Sequence, residues 1–169
     1  MKAIVLLLIV TFFQSSAQNR IFEIARRGSV EELLVEVKKD SSCVQLVNEK
    51  GYTPLLLSVY RGNYNVTEKL IELGADVNFV SESGTILMAA IFKADENIFK
   101  LLLHSKTDIN LQDKQGNTPL MFAVTVGNEG FVRELLKRNA NKNIQNKEGQ
   151  TAFMLAVQTS NEKIINLLK

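Results

Sequence analysis

Short apolar runs recur along most of this chain, each followed by a polar turn. In residues 113–143, the run from Met121 to Val126 is almost wholly apolar, and a break at residues 127–128 follows it. In the next run, apolar residues recur at helical spacing and charged residues occupy the other side. Thr118 and Pro119 stand before the first run, where threonine caps a helix and proline suits the first helical position. The pattern predicts a helical hairpin.

The hairpin is repeated along the chain. Equivalent threonines occur at Thr53, Thr85, Thr118 and Thr151, with spacings of 32, 33 and 33 residues. One hairpin of this size buries too little apolar surface to fold alone, so the copies must stack on each other. A period near 33 residues with two short helices and a glycine-containing turn is typical of one repeat architecture.

Three segments carry a resemblance to the ankyrin repeat: GYTPL at residues 51–55, Gly62, and GADVN at residues 74–78. The resemblance covers nearly all of the chain after residue 18. It implies an all-α solenoid of stacked helix-turn-helix units with hairpin-like connecting loops. We expect an N-terminal capping helical pair at residues 18–47 and ankyrin repeats at 48–80, 81–112, 113–145 and 146–169, the last serving as the C-terminal cap.

The beginning of the chain has a different character. Lys2 supplies one positive charge, an apolar run extends from Ala3 to Phe13, and small residues follow up to Ala17. These features predict a signal peptide at residues 1–17, cleaved after Ala17. A membrane anchor is the alternative, but a spanning helix needs about 20 apolar residues. We expect a periplasmic or secreted protein with no stable membrane insertion after cleavage.

Few residues are suited to chemistry. The 20 basic and 18 acidic residues nearly balance, which gives no reason to expect a nucleic-acid partner. His104 is the only histidine and Cys43 the only cysteine, so we predict no catalytic, metal or cofactor site and no enzyme activity. For Cys43 we favour a half-buried apolar filler over an intermolecular disulfide. We expect a monomer.

Repeat 81–112 departs from the pattern of the others. Its hairpin is one residue short, Ile86 replaces the proline, Ala94 replaces the inter-helix glycine, and Lys106 replaces the terminal glycine. Both turn positions call for a left-handed backbone, which is strained for a residue with a Cβ atom. We therefore expect strain at Ala94 and Lys106 and a weak joint in this repeat.

The ankyrin resemblance implies that hairpin tips and the exposed side of each first helix line a concave, protein-binding surface. Aromatic residues and arginine, which are frequent in interface hot spots, gather there at Tyr52, Tyr60, Arg61 and Phe92. The alternative is that Tyr60 and Phe92 pack against the neighbouring first helix. The predicted protein-binding residues are Lys50, Tyr52, Tyr60, Arg61, Glu82, Phe92, Lys93, Lys114, Gln115, Asn117 and Thr125.

These expectations favour an exported protein–protein interaction module. The chain resembles bacterial periplasmic ankyrin repeat proteins, which implies that it protects or regulates a periplasmic enzyme. The alternative is a secreted effector that acts on host-cell proteins. The sequence does not identify the partner protein.

Overall fold

A computed structural model describes residues 20–169, so the predicted signal peptide at 1–17 lies outside the described residues. The chain forms two compact units. The first ends at Asp76, and the second runs from Val77 to Lys169. None of the described helices is long and apolar enough to cross a membrane.

Both units consist of short helices arranged in pairs. The described part of the first unit contains α1 (residues 20–27), α2 (Val30–Lys39), a 3₁₀ helix (Ser41–Gln45), α3 (Pro54–Arg61) and α4 (Tyr64–Glu72). The second unit contains α5 (Ile86–Phe92), α6 (Glu96–Leu103), α7 (Pro119–Thr125), α8 (Glu129–Lys137), α9 (Ala152–Gln158) and α10 (Glu162–Leu168). Two-residue strands, β1 (Val80–Ser81) and β2 (Gly84–Thr85), precede α5. The predicted all-α class is confirmed.

The repeated threonines cap the first helices as predicted. Each threonine hydroxyl accepts a hydrogen bond from the backbone N–H three residues later, at 3.1 Å for Thr53, 3.2 Å for Thr85, 3.3 Å for Thr118 and 3.4 Å for Thr151. Each bond satisfies one of the N–H groups that a helix leaves unpaired at its start.

A left-handed residue turns the chain between α3 and α4, between α5 and α6, between α7 and α8, and between α9 and α10. The φ angle is 68° at Gly62 and 71° at Gly127, and it is 52° at both Ala94 and Ser160. The strained conformation predicted at Ala94 is therefore confirmed.

In the second unit, first helices pack on first helices. α7 contacts both α5 and α9, while α8 contacts α10. The rings of Phe99 and Phe131 join α6 to α8, with centroids 4.5 Å apart. The side chains of α7 that fill the space between helices, Leu120, Met121 and Val124, are at most 1% exposed.

The short hairpin of residues 81–112 folds differently from the regular ones. In the regular hairpins, Asn48, Asp113 and Asn146 each accept hydrogen bonds from backbone N–H groups two and four residues later. In the short hairpin, β1 and β2 pair with Val80 opposite Thr85. The buried Ser81 hydroxyl donates to the Gly84 carbonyl at 2.9 Å and accepts from the Ser83 N–H at 3.1 Å. A serine thus replaces the Asn or Asp turn.

The prediction of a left-handed backbone at Lys106 is wrong. The non-glycine residues with positive φ in the described part of the chain are Ala94, Asn139 and Ser160. At the end of α6, the Ser105 hydroxyl donates to the Leu102 carbonyl at 2.6 Å. The Ser105 backbone N–H donates to the same carbonyl at 3.0 Å. Because side chain and backbone together satisfy this carbonyl, the chain leaves the helix without a left-handed residue.

Cys43 lies in the 3₁₀ helix and is 4% exposed. Burial, with smaller contributions from the charges of Asp40 and Glu36, raises the pKa of its thiol to about 11. Cys43 is therefore buried rather than half-buried as predicted. The interpretation as an apolar filler is supported, since a protonated, buried thiol is a poor nucleophile for forming a disulfide.

Candidate protein-binding surface

In the first unit, two tyrosines form an aromatic pair. Tyr52 and Tyr60 are both half-buried, and their rings meet edge to face with centroids 6.1 Å apart. The Asn48 side chain fixes the loop by accepting from the N–H groups of Lys50 and Tyr52, each at 3.0 Å. Arg61 is exposed beside Tyr60 at the end of α3. The structure thus brings four predicted residues into one loop and the helix that follows it.

In the second unit, Phe92 is far more exposed than Tyr60, although both stand seven residues after a capping threonine. Its side chain is 65% exposed. The residue before the threonine is Tyr52 in the first unit and Gly84 in the second. Tyr60 therefore has an aromatic neighbour, whereas glycine has no side chain to cover Phe92. The alternative that Phe92 is buried against the neighbouring first helix is therefore wrong.

Phe92 belongs to a row of residues that we call the inner strip. It is formed in the second unit by the exposed and half-buried residues at positions four, seven and eight after the capping threonines, which lie on the same side of a helix. Val126 in this row is 47% exposed, and Phe122 and Leu155 are half-buried. Because α5 contacts α7 and α7 contacts α9, we infer that these positions adjoin one another along the unit. The inner strip consists of Phe92, Lys93, Phe122, Thr125, Val126, Leu155, Gln158 and Thr159.

The inner strip carries a single charge. Lys93 is the only charged residue in α5, α7, α9 and the residue that ends each of them. Within the part of the chain that the structure describes, Lys93 forms no ion pair. By contrast, two lysines of the second helices do form ion pairs. The Nζ atom of Lys100 lies 3.3 Å from Oε2 of Glu96, and that of Lys137 lies 2.6 Å from Oε1 of Glu134.

The hairpin tips of the second unit are largely engaged with one another. Glu82 forms an ion pair with Lys114. Asp113 accepts from the backbone N–H groups of Gln115 at 2.9 Å and Asn117 at 2.8 Å. The amide oxygen of Asn117 also accepts from Asn146 at 3.0 Å. These predicted residues lie at one edge of the unit, but their polar groups mainly hold the hairpins together.

A second apolar surface, which we call the end face, lies on α9 and was not predicted. Phe153 is 38% exposed, Met154 is 48% exposed and Val157 is 50% exposed. The equivalent residues of α7 are buried, and the buried residues of α9 are Ala152 and Ala156. The end face therefore corresponds to the side of α7 that packs against α9. A capping repeat needs a polar outer side. The capping role of residues 146–169 stays a prediction, and these side chains do not favour it.

The second helices present a different, polar surface. A groove of about 180 Å³ between α6 and α8 is lined by Phe99 and Phe131 and edged by charged residues. Of these, Glu96 and Lys100 pair within α6, and Glu134 pairs with Lys137 within α8. The hydrogen bond from Lys137 lowers the pKa of Glu134. Exposed pairs of this kind contribute little to binding. The groove is therefore a weaker candidate than the inner strip.

Sequence reasoning missed part of the inner strip. Phe122 and Leu155, both at position four, were not among the predicted residues. The helical period contained the signal, because position four of each first helix lies on the same side as positions seven and eight. Exposure at position four also depends on residue size, since Ala89 at this position in α5 is only 3% exposed.

Comparisons with known proteins agree with the repeat pattern. Residues 21–113 and 86–169 match the family model described as ankyrin repeats in three copies. The inactive serine/threonine-protein kinase TEX14 of Mus musculus is 30% identical over 113 residues, which are 66% of this chain and 8% of that protein. Inversin of Gallus gallus is 36% identical over 110 residues, covering 64% of this chain and 10% of that protein.

The match to a third relative also covers only a small part of that protein. The ankyrin repeat and SAM domain-containing protein 6 of Rattus norvegicus is 32% identical over 100 residues, which are 58% of this chain and 11% of that protein. The chain therefore spans only about a tenth of the length of these relatives. The similarity concerns the repeats alone.

Proposed function

Because this chain belongs to the ankyrin repeat family, we propose that it is an exported protein–protein interaction module that binds its partner through the inner strip of the second unit. The observation that carries the proposal is the exposure of Phe92, at 65%, on a strip that also exposes Val126. Exposed aromatic residues surrounded by apolar positions are typical of interface hot spots.

The binding free energy that the inner strip could supply is larger than that expected from the ion pairs on the second helices. Fully burying a phenylalanine contributes about 1.5–3 kcal/mol, so burying the exposed 65% of Phe92 contributes about 1–2 kcal/mol. An exposed ion pair such as that of Lys137 with Glu134 contributes about 0–1 kcal/mol. The inner strip should therefore supply most of the affinity.

Export rests on the sequence of residues 1–17, and the class of partner rests on the family resemblance. The signal peptide predicted at residues 1–17 supports a periplasmic or secreted protein. The resemblance to bacterial periplasmic ankyrin repeat proteins supports a role in protecting or regulating a periplasmic enzyme. The alternative is a secreted effector that binds host-cell proteins. Sequencing the N-terminus of the exported protein should give Gln18 as the first residue, whereas an intact Met1 in a membrane fraction would contradict export.

The binding surface is tested by quantitative mass spectrometry of proteins captured from the native exported fraction. The test variant carries Phe92→Ala and Val126→Ala. The control carries Phe153→Ala and Val157→Ala, which truncate the same residue types on the end face of the same unit. We expect the partner to be lost from the test variant and retained by the control. Retention by the test variant, with both variants folded, would contradict the proposal.

A further inference from the structure

The positive charge of Lys93 on the inner strip indicates what kind of partner segment the strip binds. We propose that the strip binds a segment of a partner protein in which an apolar side chain, seated against Phe92, is flanked by a carboxylate that pairs with Lys93. The proposal rests on the binding function proposed above. It commits to a peptide segment with both an apolar and an acidic residue.

Lys93 is placed to recognise such a carboxylate. It ends α5 directly after Phe92, and its backbone N–H donates to the Ala89 carbonyl at 3.0 Å, so its backbone is fixed. The residue is exposed, and the structure records no ion pair for it in the described residues. The hairpin charges Glu82 and Lys114 pair with each other. Lys93 is therefore the one charge on the strip that a partner can neutralise.

Once a partner is bound, the lysine ammonium group of Lys93 should interact more favourably with a carboxylate of the partner than with an uncharged group. Seating an apolar side chain on Phe92 removes water from its neighbourhood, and electrostatic interactions strengthen as water is excluded. A positively charged partner residue at the same place would meet a like charge. The strip should thus reject basic segments and accept acidic ones, since charge complementarity contributes chiefly to specificity.

The dimensions of the strip set the length of the segment. Stacked helices lie about 8–10 Å apart, so the three first helices extend over roughly 16–20 Å. A helix covers that distance with about 11–13 residues at 1.5 Å per residue. A library of displayed peptides with 16 random residues therefore spans the strip with residues to spare.

Lysine at the end of a helix also interacts favourably with the helix dipole, which is a purely structural role. The two roles make different predictions. If Lys93 only stabilises α5, Lys93→Glu lowers thermal stability and leaves the choice of peptide unchanged. If it recognises a carboxylate, Lys93→Glu changes which peptides are selected.

The test uses the 16-residue random library, selected in parallel on the full chain and on its Lys93→Glu variant. Binders are retained only if they fail to bind Phe92→Ala. We expect peptides selected on the unmodified chain to be enriched in Asp and Glu beside apolar residues, and those selected on Lys93→Glu to be enriched in Lys and Arg. The same composition in both pools would overturn the role of Lys93.

A selected acidic peptide then gives the size of the effect. Lys93→Gln should weaken binding by about twofold to fivefold at low salt, the range expected for an exposed charge pair, and should flatten the salt dependence. The matched control is Arg133→Gln, which removes an exposed cation from α8 and should leave both quantities unchanged. Equal effects of the two substitutions would contradict the proposal.

The outcomes separate this proposal from the proposed function. Peptides that bind through Phe92 without a preference for acidic residues would overturn only the role of Lys93. If every selected peptide binds Phe92→Ala as tightly as the unmodified chain, so that none is retained, the inner strip is overturned as the binding surface. Failure to select any peptide would overturn both.

Discussion

Ala94→Gly should stabilise the second unit, because Ala94 adopts a conformation that glycine adopts without strain. Its φ angle is 52°, close to the 71° of the equivalent Gly127. A left-handed backbone costs a residue with a Cβ atom about 1–2 kcal/mol. Glycine also increases the conformational entropy of the unfolded chain, which offsets about 0.4–1 kcal/mol of this stabilisation. The midpoints of these two ranges leave a net gain of about 0.8 kcal/mol, which corresponds to about 2–3 °C in Tm for a chain of this length.

Thermal unfolding of three variants checks this reasoning. Gly127→Ala is the reverse substitution, and the Cβ atom that it adds would have only the Asn161 side-chain nitrogen nearby, at 4.0 Å. Its effect should therefore come from the backbone alone and should be a loss of similar size. Lys106→Gly should give no gain, because Lys106 has no left-handed backbone to relieve.

The result that would refute the reasoning is specific. If Ala94→Gly leaves Tm unchanged or lowers it while Gly127→Ala costs nothing, strain at the inter-helix turn does not limit stability. A gain from Lys106→Gly as large as that from Ala94→Gly would show that the end of α6 is strained after all.

Three further outcomes are expected. Backbone amides near Ala94 should exchange with solvent faster than those near Gly127, and uniform protection would contradict a weak joint in this repeat. Cys43 should alkylate slowly at pH 8 and rapidly in denaturant, since a pKa of about 11 in place of 9.0 leaves roughly 100-fold less thiolate; equal rates would contradict its burial. Ser81→Ala should lower the free energy of unfolding by about 1–3 kcal/mol in urea titrations, because it removes the buried hydroxyl that holds the short hairpin, and a neutral effect would contradict that role.

The sequence predicted those features that depend on local spacing. The threonine caps, the helix pairs and the left-handed turn at Ala94 follow from residue type and period alone. The end of α6 could not be predicted in this way, because the hydroxyl of Ser105 satisfies a carbonyl that a left-handed turn satisfies elsewhere. The repeat pattern alone does not distinguish a helix that ends with a serine hydroxyl from one that ends with a left-handed residue.

Exposure was harder to predict than position. Tyr60 and Phe92 occupy the same place in the repeat, yet only Tyr60 has an aromatic neighbour in the preceding loop. The end face illustrates the same limit, since Met154 is 48% exposed where the equivalent Met121 is 1% exposed. Which copy of a repeated residue is covered depends on what packs against it, and the repeat pattern alone does not contain this information.

The central claim is that the partner binds the inner strip, and calorimetric titration of the captured partner tests it most directly. Phe92→Ala should raise Kd by roughly 5- to 30-fold, which corresponds to about 1–2 kcal/mol of lost burial. Phe153→Ala, the matched truncation on the end face, should leave Kd within about twofold, since it removes no contact with the partner. An unchanged Kd for Phe92→Ala together with a large increase for Phe153→Ala would show that the partner binds the end face instead.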